Sequence, residues 1–250
     1  RPTNNQPEAN VPLDKEAASI TLSIFILVTR TIKGAKKMDE IRDKNGLTEA
    51  EFLANYKVKD YPRPSLTADI LIFNQYSGEL QLLLIKRGGH PFINKWALPG
   101  GFVQPNERAD QAAARELLEE THVQGLPLEQ LGLYSDPHRD PRAWVVSEAY
   151  CSLCNNQELA IQADDDAADA KWFDIEIIPD DNDKIKIYLQ HNDDILSIEI
   201  LGHDNHDLKQ FCDGDTRIVA SDGLAFDHDQ MIWDGLKKYI LRDKIVVIKQ

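Results

Sequence analysis

The period of apolar and polar positions changes several times along the chain, and each change marks an element. Leu66–Phe73 and Leu80–Lys86 are two apolar, β-prone runs with Tyr76-Ser77-Gly78 in the turn region between them, the pattern of a hairpin. Trp96-Ala97-Leu98 predicts a short strand that stops at Pro99-Gly100-Gly101. Glu107–Thr121, rich in Ala, Leu and Glu, predicts a helix. Ala143–Leu153 predicts another strand, as does roughly Ala168–Phe173. Lys184–Gln190 and Ile195–Leu201 predict an added hairpin around Asn192-Asp193-Asp194. Phe226–Arg242 predicts a closing helix and Ile245–Ile248 a short β-prone tail. Upstream, Thr48 followed three residues later by Glu51 is a capping box for a short helix over 48–56. Tyr61-Pro62-Arg63-Pro64 predicts a stiff, extended connection.

Residues 1–18 are polar and contain Pro and Asn, a composition that predicts disorder. Ser19–Val28 is an apolar run of ten residues, too short to span a bilayer. No A-x-A-like cleavage site follows it. The chain opens on Arg1, whereas Met38 begins a protein-like segment, MDEIRDKNGLTEAEFLANY. The preceding Lys33-Gly34-Ala35 can be encoded by bases that contain a bacterial ribosome-binding sequence. The expectation is that Met38 is the natural start and that residues 1–37 are a disordered or non-native upstream extension. Residues 38–63 then form an N-terminal helix and linker, 64–242 the main domain with an insert at about 180–215, and 243–250 a tail.

A length of 250 residues allows one sizeable domain or two small ones. Apolar content of 42% and charged content of 28% are ordinary for a globular protein. The net charge of −14 argues against non-specific binding to nucleic acid or an anionic membrane, which needs a basic footprint. Residues 174–215 hold twelve acidic and three basic side chains, so nine of the fourteen net negative charges lie there. Solvated decoration is the favoured reading of that insert, over a lid or a dimer contact. The three cysteines, Cys151, Cys154 and Cys212, are too few and too scattered for a disulfide framework, which implies a reducing, cytoplasmic setting. Cys151 and Cys154 are three apart on a predicted strand and so point to opposite faces, as core cysteines rather than a redox or zinc pair. Neither an internal repeat nor a transmembrane segment is evident.

Chemistry concentrates in the predicted helix. Glu116, Glu119 and Glu120 stand at i, i+3 and i+4, on one face, where like charges repel by about a few tenths of a kcal/mol per pair. A hard divalent cation, which prefers carboxylate oxygens, would offset that repulsion. A solvated acidic face is the plainer alternative. Ala109, Ala112 and Ala113 fall on the same face and would leave room for metal and phosphate, while Ala114, Leu117 and Leu118 would anchor the helix in the core.

The stretch Gly101–Val123, GFVQPNERADQAAARELLEETHV, resembles the Nudix signature. Gly101, Glu107, Arg115, Glu116, Leu117, Glu119, Glu120 and Val123 all match at the signature's spacing. His122 replaces its last glycine; histidine is among the non-glycine residues enriched in the left-handed conformation expected there, so the site should survive. Residues 64–242 resemble a whole domain of the ADP-ribose pyrophosphatase type and of the related NrtR-type regulators. The supporting segments are LLIKRGGHPFINKWALPGGFV, SDPHRDPRAWVVSEAY, DDAADAKWF and LAFDHDQMI.

That resemblance implies an α/β fold, the Nudix α/β/α sandwich with a mixed sheet. It implies Mg²⁺ or Mn²⁺ on Glu116, Glu119 and Glu120, with Arg115 orienting a glutamate by a bidentate pair and Glu107 supporting the loop. Gly100 and Gly101 would let backbone approach metal and diphosphate. Glu120 is the first choice of general base, with Asp165 or Asp166 as outside candidates. Arg87, Arg139 and Arg142 are candidates for phosphate or ribose contacts, with surface or structural roles equally open. Trp96 is expected to pack under the glycine loop rather than to stack on a base. His90, His203 and His206 show no partner pattern for metal binding. The implied reaction is hydrolysis of a nucleoside-diphosphate derivative, ADP-ribose to AMP and ribose 5-phosphate in the first place, with sugar nucleotides or dinucleotides also open. The alternative is an ADP-ribose sensor of the NrtR type. Such regulators append a winged helix after the closing helix, and the few residues after Arg242 are too short for one. The expected partners are a small nucleotide substrate and, as in related enzymes, a second copy of the chain, with no nucleic acid and no membrane.

Overall fold

Ser65–Tyr76 forms a twelve-residue strand, β1, in which every position from Thr67 to Asn74 is buried. A strand shows one side chain in two to each face, so continuous burial means that both faces are covered. Ala68, Ile70 and Ile72 enter one apolar cluster. Leu71 and Phe73 enter another on the opposite side. The computed structural model describes residues 40–76, 78–155, 159, 161–163, 167–180, 183–203 and 207–245. Residues 1–37, Met38, Asp165, Asp166, His206 and the tail beyond Ile245 lie outside them, and so do the expectations attached to those positions.

The chain separates into two compact units, residues 1–61 and 62–250. In the first, Glu49–Asn55 is a short helix, α1, closed by the expected capping box. The Glu51 backbone N–H donates to Thr48 Oγ1 at 3.2 Å, and the Thr48 N–H donates back to Glu51 Oε2 at 2.8 Å.

In the second unit the elements after β1 are β2 (Glu79–Arg87), β3 (Trp96–Ala97), β4 (Gly100–Phe102), α2 (Ala109–Thr121), β5 (Glu129–Tyr134), β6 (Val145–Cys154), β7 (Ala167–Asp180), β8 (Lys184–His191), β9 (Asp194–Leu201), α3 (Leu208–Asp213), β10 (Arg217–Asp222) and α4 (His228–Leu241). The strands form one mixed sheet in the order β10-β9-β8-β7-β2-β1-β6-β5, with β3 beside β2 and β4 beside β1. β1 and β6 run parallel over Ser65–Asn74, while β1 and β2 are antiparallel. Helix α2 packs through Ala112, Ala113 and Leu117 on the Ile70 face. Helices α3 and α4 cover the Phe73 face through Phe211, Trp233, Leu236 and Tyr239. This is the layered α/β/α arrangement expected. Among the described residues no helix is long and apolar enough to cross a membrane.

The three cysteines are free. Cys151 lies in the α4-side cluster and Cys154 packs against the α2-side one, on opposite faces of β6 as expected. Trp96 is also a core residue, 2% exposed and edge-on to Phe173 at 4.7 Å.

Other elements depart from expectation. Helix α2 starts at Ala109, not Glu107, because the Glu107 carboxylate holds the preceding turn by accepting the Gln104 N–H at 2.9 Å. β7 runs on to Asp180, and its second half pairs with β8. The acidic hairpin is therefore no solvated decoration. It widens the sheet, and Ile185, Ile187, Leu189, Leu196, Ile198 and Ile200 put its inner face into the main core. Its charges lie on the outer face and in the turns, which is why its net acidity is compatible with burial. The sequence pattern misses β4, β5, β10 and α3. β5 and β10 are the edge strands, each with a register shift, and their exposed faces carry no clean alternation.

The core role of the hairpin is measurable. Ile187→Ala, at a fully buried site, should destabilise the protein by about 2–5 kcal/mol in urea unfolding. Ile195→Ala, 58% exposed on the same hairpin, should cost no more than about 0.5 kcal/mol.

Candidate functional site

Helix α2 lies flat on the sheet, and its buried stripe sets which glutamates face inward. Ala112, Ala113, Leu117 and Glu120 are buried, with Ala109 and Glu116 half-buried beside them. The alanines are contacts with β1, small because helix and strand approach closely. They are not open space for a ligand, as the sequence reading had it. Ala114 and Leu118 face outward instead of anchoring the helix. Glu119 leaves the stripe, with its side chain 43% exposed.

Arg115 gathers this cluster. Its Nε and Nη2 donate to the two oxygens of Glu107 at 2.9 and 3.0 Å, a fork-to-fork pair. Its Nη1 donates to Glu116 Oε1 at 2.6 Å and to Glu119 Oε2 at 2.9 Å, and Nη2 also reaches the Phe102 carbonyl at 3.1 Å. These hydrogen bonds from Arg115 hold the Glu107 carboxyl below the usual range. Burial pushes Glu116 up, against the opposing pull of Arg115.

The glycine turn faces the same cluster. Gly100 has φ 155°, and a Cβ there would stand 2.3 Å from the Ala68 carbonyl oxygen. A Cβ at Gly101 would stand 2.5 Å from the Glu116 carboxyl carbon. The missing side chains let the turn close over the glutamates, and the Gly100 N–H donates to Glu120 Oε2 at 2.8 Å. Burial pushes the Glu120 carboxyl up to about 8, helped by the nearby charges of Glu116 and Asp69 and opposed by the Gly100 hydrogen bond. Just past α2, His122 takes the left-handed conformation at φ 61° and ψ 10°, as expected at the replaced glycine.

Arg115, Glu116, Glu119, Glu120 and the glycine turn line a cleft of about 810 Å³ that also holds Arg87, His90, Arg139 and Arg142. The three arginines differ. Arg139, its side chain 3% exposed, forks onto Asp227 at 2.9 and 2.7 Å and approaches Asp69 at 3.5 Å. Arg142 pairs with Asp140 at 2.7 Å and lies 5.4 Å from the Phe102 ring and 5.7 Å from that of Phe226. Arg87 donates to the Pro91 carbonyl at 2.8 Å and lies 5.0 Å from the Phe226 ring. The sequence reading gives no role to Asp69, Asp140, Phe226 or His228, which also line the cleft. His228 is nearly fully buried, and that burial lowers its pKa. LAFDHDQMI contains Phe226 and His228, so a signal was present, but without the fold nothing tied it to the glutamates.

The donor set suits a hard cation, being carboxylate-rich. Among the described residues, no three His, Cys, Asp or Glu side chains are gathered as placed into a metal-holding group. Glu116 and Glu119 are turned onto Arg115, and Glu120 onto the Gly100 N–H.

A family model described as NUDIX domain matches residues 63–191. The chain belongs to the NUDIX family. It is 34% identical over 165 residues to an ADP-ribose pyrophosphatase of Methanocaldococcus jannaschii, covering 66% of this chain and 88% of that protein. It is 42% identical over 113 residues to the ADPR responsive transcriptional repressor NtrR of Acinetobacter baylyi, covering 44% of this chain and only 45% of the repressor. Among solved structures, a MutT/nudix family protein from Enterococcus faecalis superposes with a TM-score of 0.64 at 34% identity, over 78% of this chain and 70% of that one. The NUDIX domain of Shewanella oneidensis NrtR, solved with ADP ribose, superposes with a TM-score of 0.53 at 29% identity, over 77% of this chain and 99% of that one. Family and relatives together support a Nudix pyrophosphohydrolase.

The raised Glu120 pKa has a consequence for the protein without added metal. The folded state holds that proton more tightly than the unfolded chain, so stability is fully present below about pH 4.5 and declines as pH rises towards about 8. Glu120→Gln removes this titration. In thermal melts with chelator, its Tm should fall less between pH 5 and 8 than that of the wild type.

Proposed function

We propose that the chain hydrolyses the diphosphate bond of a nucleoside-diphosphate derivative, first of all ADP-ribose to AMP and ribose 5-phosphate. The observation that carries this reading is the meeting of Glu116, Glu119 and Glu120 with the Gly100–Gly101 turn in a cleft that also holds arginines. Glu116, Glu119 and Glu120 would hold Mg²⁺ or Mn²⁺, turning from their present partners to do so. Such a cation supplies charge neutralisation at the diphosphate and a water of lowered pKa. Glu120 would take the proton of the attacking water as general base. Arg115 keeps the glutamates in register, and Glu107 fixes both Arg115 and the turn before α2. Arg87 and Arg142, at the wall of the cleft, bind phosphate or ribose oxygens, and the Gly100–Gly101 backbone lies close against them. Arg139, whose fork is taken up by Asp227, contributes positive potential more than direct contacts.

A second reading is favoured by the 42% identity with the A. baylyi repressor. In it the same cleft binds ADP-ribose as a signal without turnover. The net charge of −14 speaks against this chain itself gripping DNA.

The two readings part on one assay. With ADP-ribose and Mg²⁺ or Mn²⁺, the wild-type chain should release AMP, and Glu120→Gln should lower kcat by about 100-fold or more. Tight ADP-ribose binding with no AMP released would favour the sensor. Failure to bind it, with turnover of another diphosphate, would move the substrate and leave the reaction class standing.

A further inference from the structure

The segment that presents Gly100 to Glu120 is held from its other side by the approach to α4. Leu224 pairs with Trp96 as a parallel bridge. The Trp96 N–H donates to the Gly223 carbonyl at 3.1 Å, and the Ala225 N–H donates to the Trp96 carbonyl at 2.9 Å. The next bond of such a ladder would run from the Leu98 N–H to the Ala225 carbonyl. That carbonyl instead accepts the His228 N–H at 3.3 Å as the chain turns into α4. The Leu98 N–H is met by a side chain in its place, donating to His228 Nδ1 at 2.9 Å.

A backbone N–H can only donate, so Nδ1 accepts and the ring's proton sits on Nε2. Nε2 faces Asp69 Oδ1 at 3.7 Å. The Asp69 carboxylate is fixed by Ser147 Oγ, which donates to its other oxygen, and by Arg139 at 3.5 Å. Arg139 is fixed in turn by Asp227, the residue before His228. The buried ring is thus hydrogen-bonded at Nδ1 and turned towards the Asp69 carboxylate at Nε2. Downstream of Leu98, the Pro99 carbonyl accepts the Ile70 N–H at 2.9 Å, and the Gly100 N–H reaches Glu120.

We propose that His228 is a positioning residue for the diphosphate-cleaving site: through Leu98 it sets the Gly100 turn, and through Gly100 it sets the Glu120 carboxylate. It touches no reacting atom. Its kinetic part rests on the hydrolase reading above, whereas its structural part does not.

Two kinds of measurement test it. In the wild-type protein, ¹⁵N NMR of the imidazole should show Nδ1 unprotonated and Nε2 protonated, and the opposite tautomer would overturn the proposal without need of any variant. His228→Leu removes the acceptor and keeps much of the bulk. It should speed hydrogen exchange at the Gly100 amide by about tenfold or more. It should also lower kcat by about 10- to 100-fold with little change in KM, as small misplacements of a catalytic group do. His228→Asn, which can offer an oxygen near the Nδ1 position, should recover most of both losses. A folded His228→Leu protein with wild-type Gly100 exchange, or with wild-type kcat in an active enzyme, would overturn it, and so would equal damage from Leu and Asn. If the wild type cleaves no diphosphate, the hydrolase reading fails alone, and the tautomer and the Gly100 exchange still decide whether His228 sets the turn.

Discussion

The structure depends on the two-sided burial of β1. A strand with helices on both faces must be apolar throughout, apart from positions where polar side chains have partners at hand. Asp69 is such a position, buried in mid-strand, hydrogen-bonded by Ser147 and faced by Arg139 and the His228 ring. The same strand carries Ala68 and Ile70 against α2, and its Asp69–Gly100 pairing places the glycine turn beside the helix. The glutamates, the turn and the buried carboxylate are thus all referred to one rigid element. A site built on a strand so confined has little freedom to drift from its geometry.

Much of this was legible before the fold was known, for reasons that differ by element. β1 and β2 announce themselves as apolar runs because they are buried on both faces, and α2 through its composition and spacing. The glutamate motif is legible because its residues are close in sequence, eight matching positions between Gly101 and Val123. The partners from elsewhere were not. Asp69, Arg139, Asp227 and His228 are up to 159 positions apart and meet only because β1, the loop before β6 and the start of α4 share one end of the sheet. The acidic hairpin was misjudged for a different reason. Its net charge dominates its composition, while its alternation, Ile185, Ile187 and Leu189 inward, is what decides burial.

Charge is arranged on two scales. Across the chain the excess is negative, yet the cleft walls carry arginines held by acidic partners. Arg115 shows what this does locally. One guanidinium meets Glu107, Glu116 and Glu119 at once, so three acids are held near one another without three separate cations. Glu120 is outside that arrangement, and its burial, opposed by a backbone N–H, pushes its carboxyl up furthest in the cluster.

The residue that ends α2 and the glycine turn that faces its glutamates also differ in what they tolerate. At the C-terminal end of α2 the left-handed residue needs a permissive backbone, and histidine takes that conformation in place of the motif's glycine. At the turn facing its glutamates the limit is space itself, since a single methyl group at Gly100 or Gly101 would overlap a carbonyl oxygen or a carboxylate. At Gly100 the obstacle is backbone that cannot give way, whereas at Gly101 the Glu116 carboxylate would have to swing aside and leave its place in the cluster.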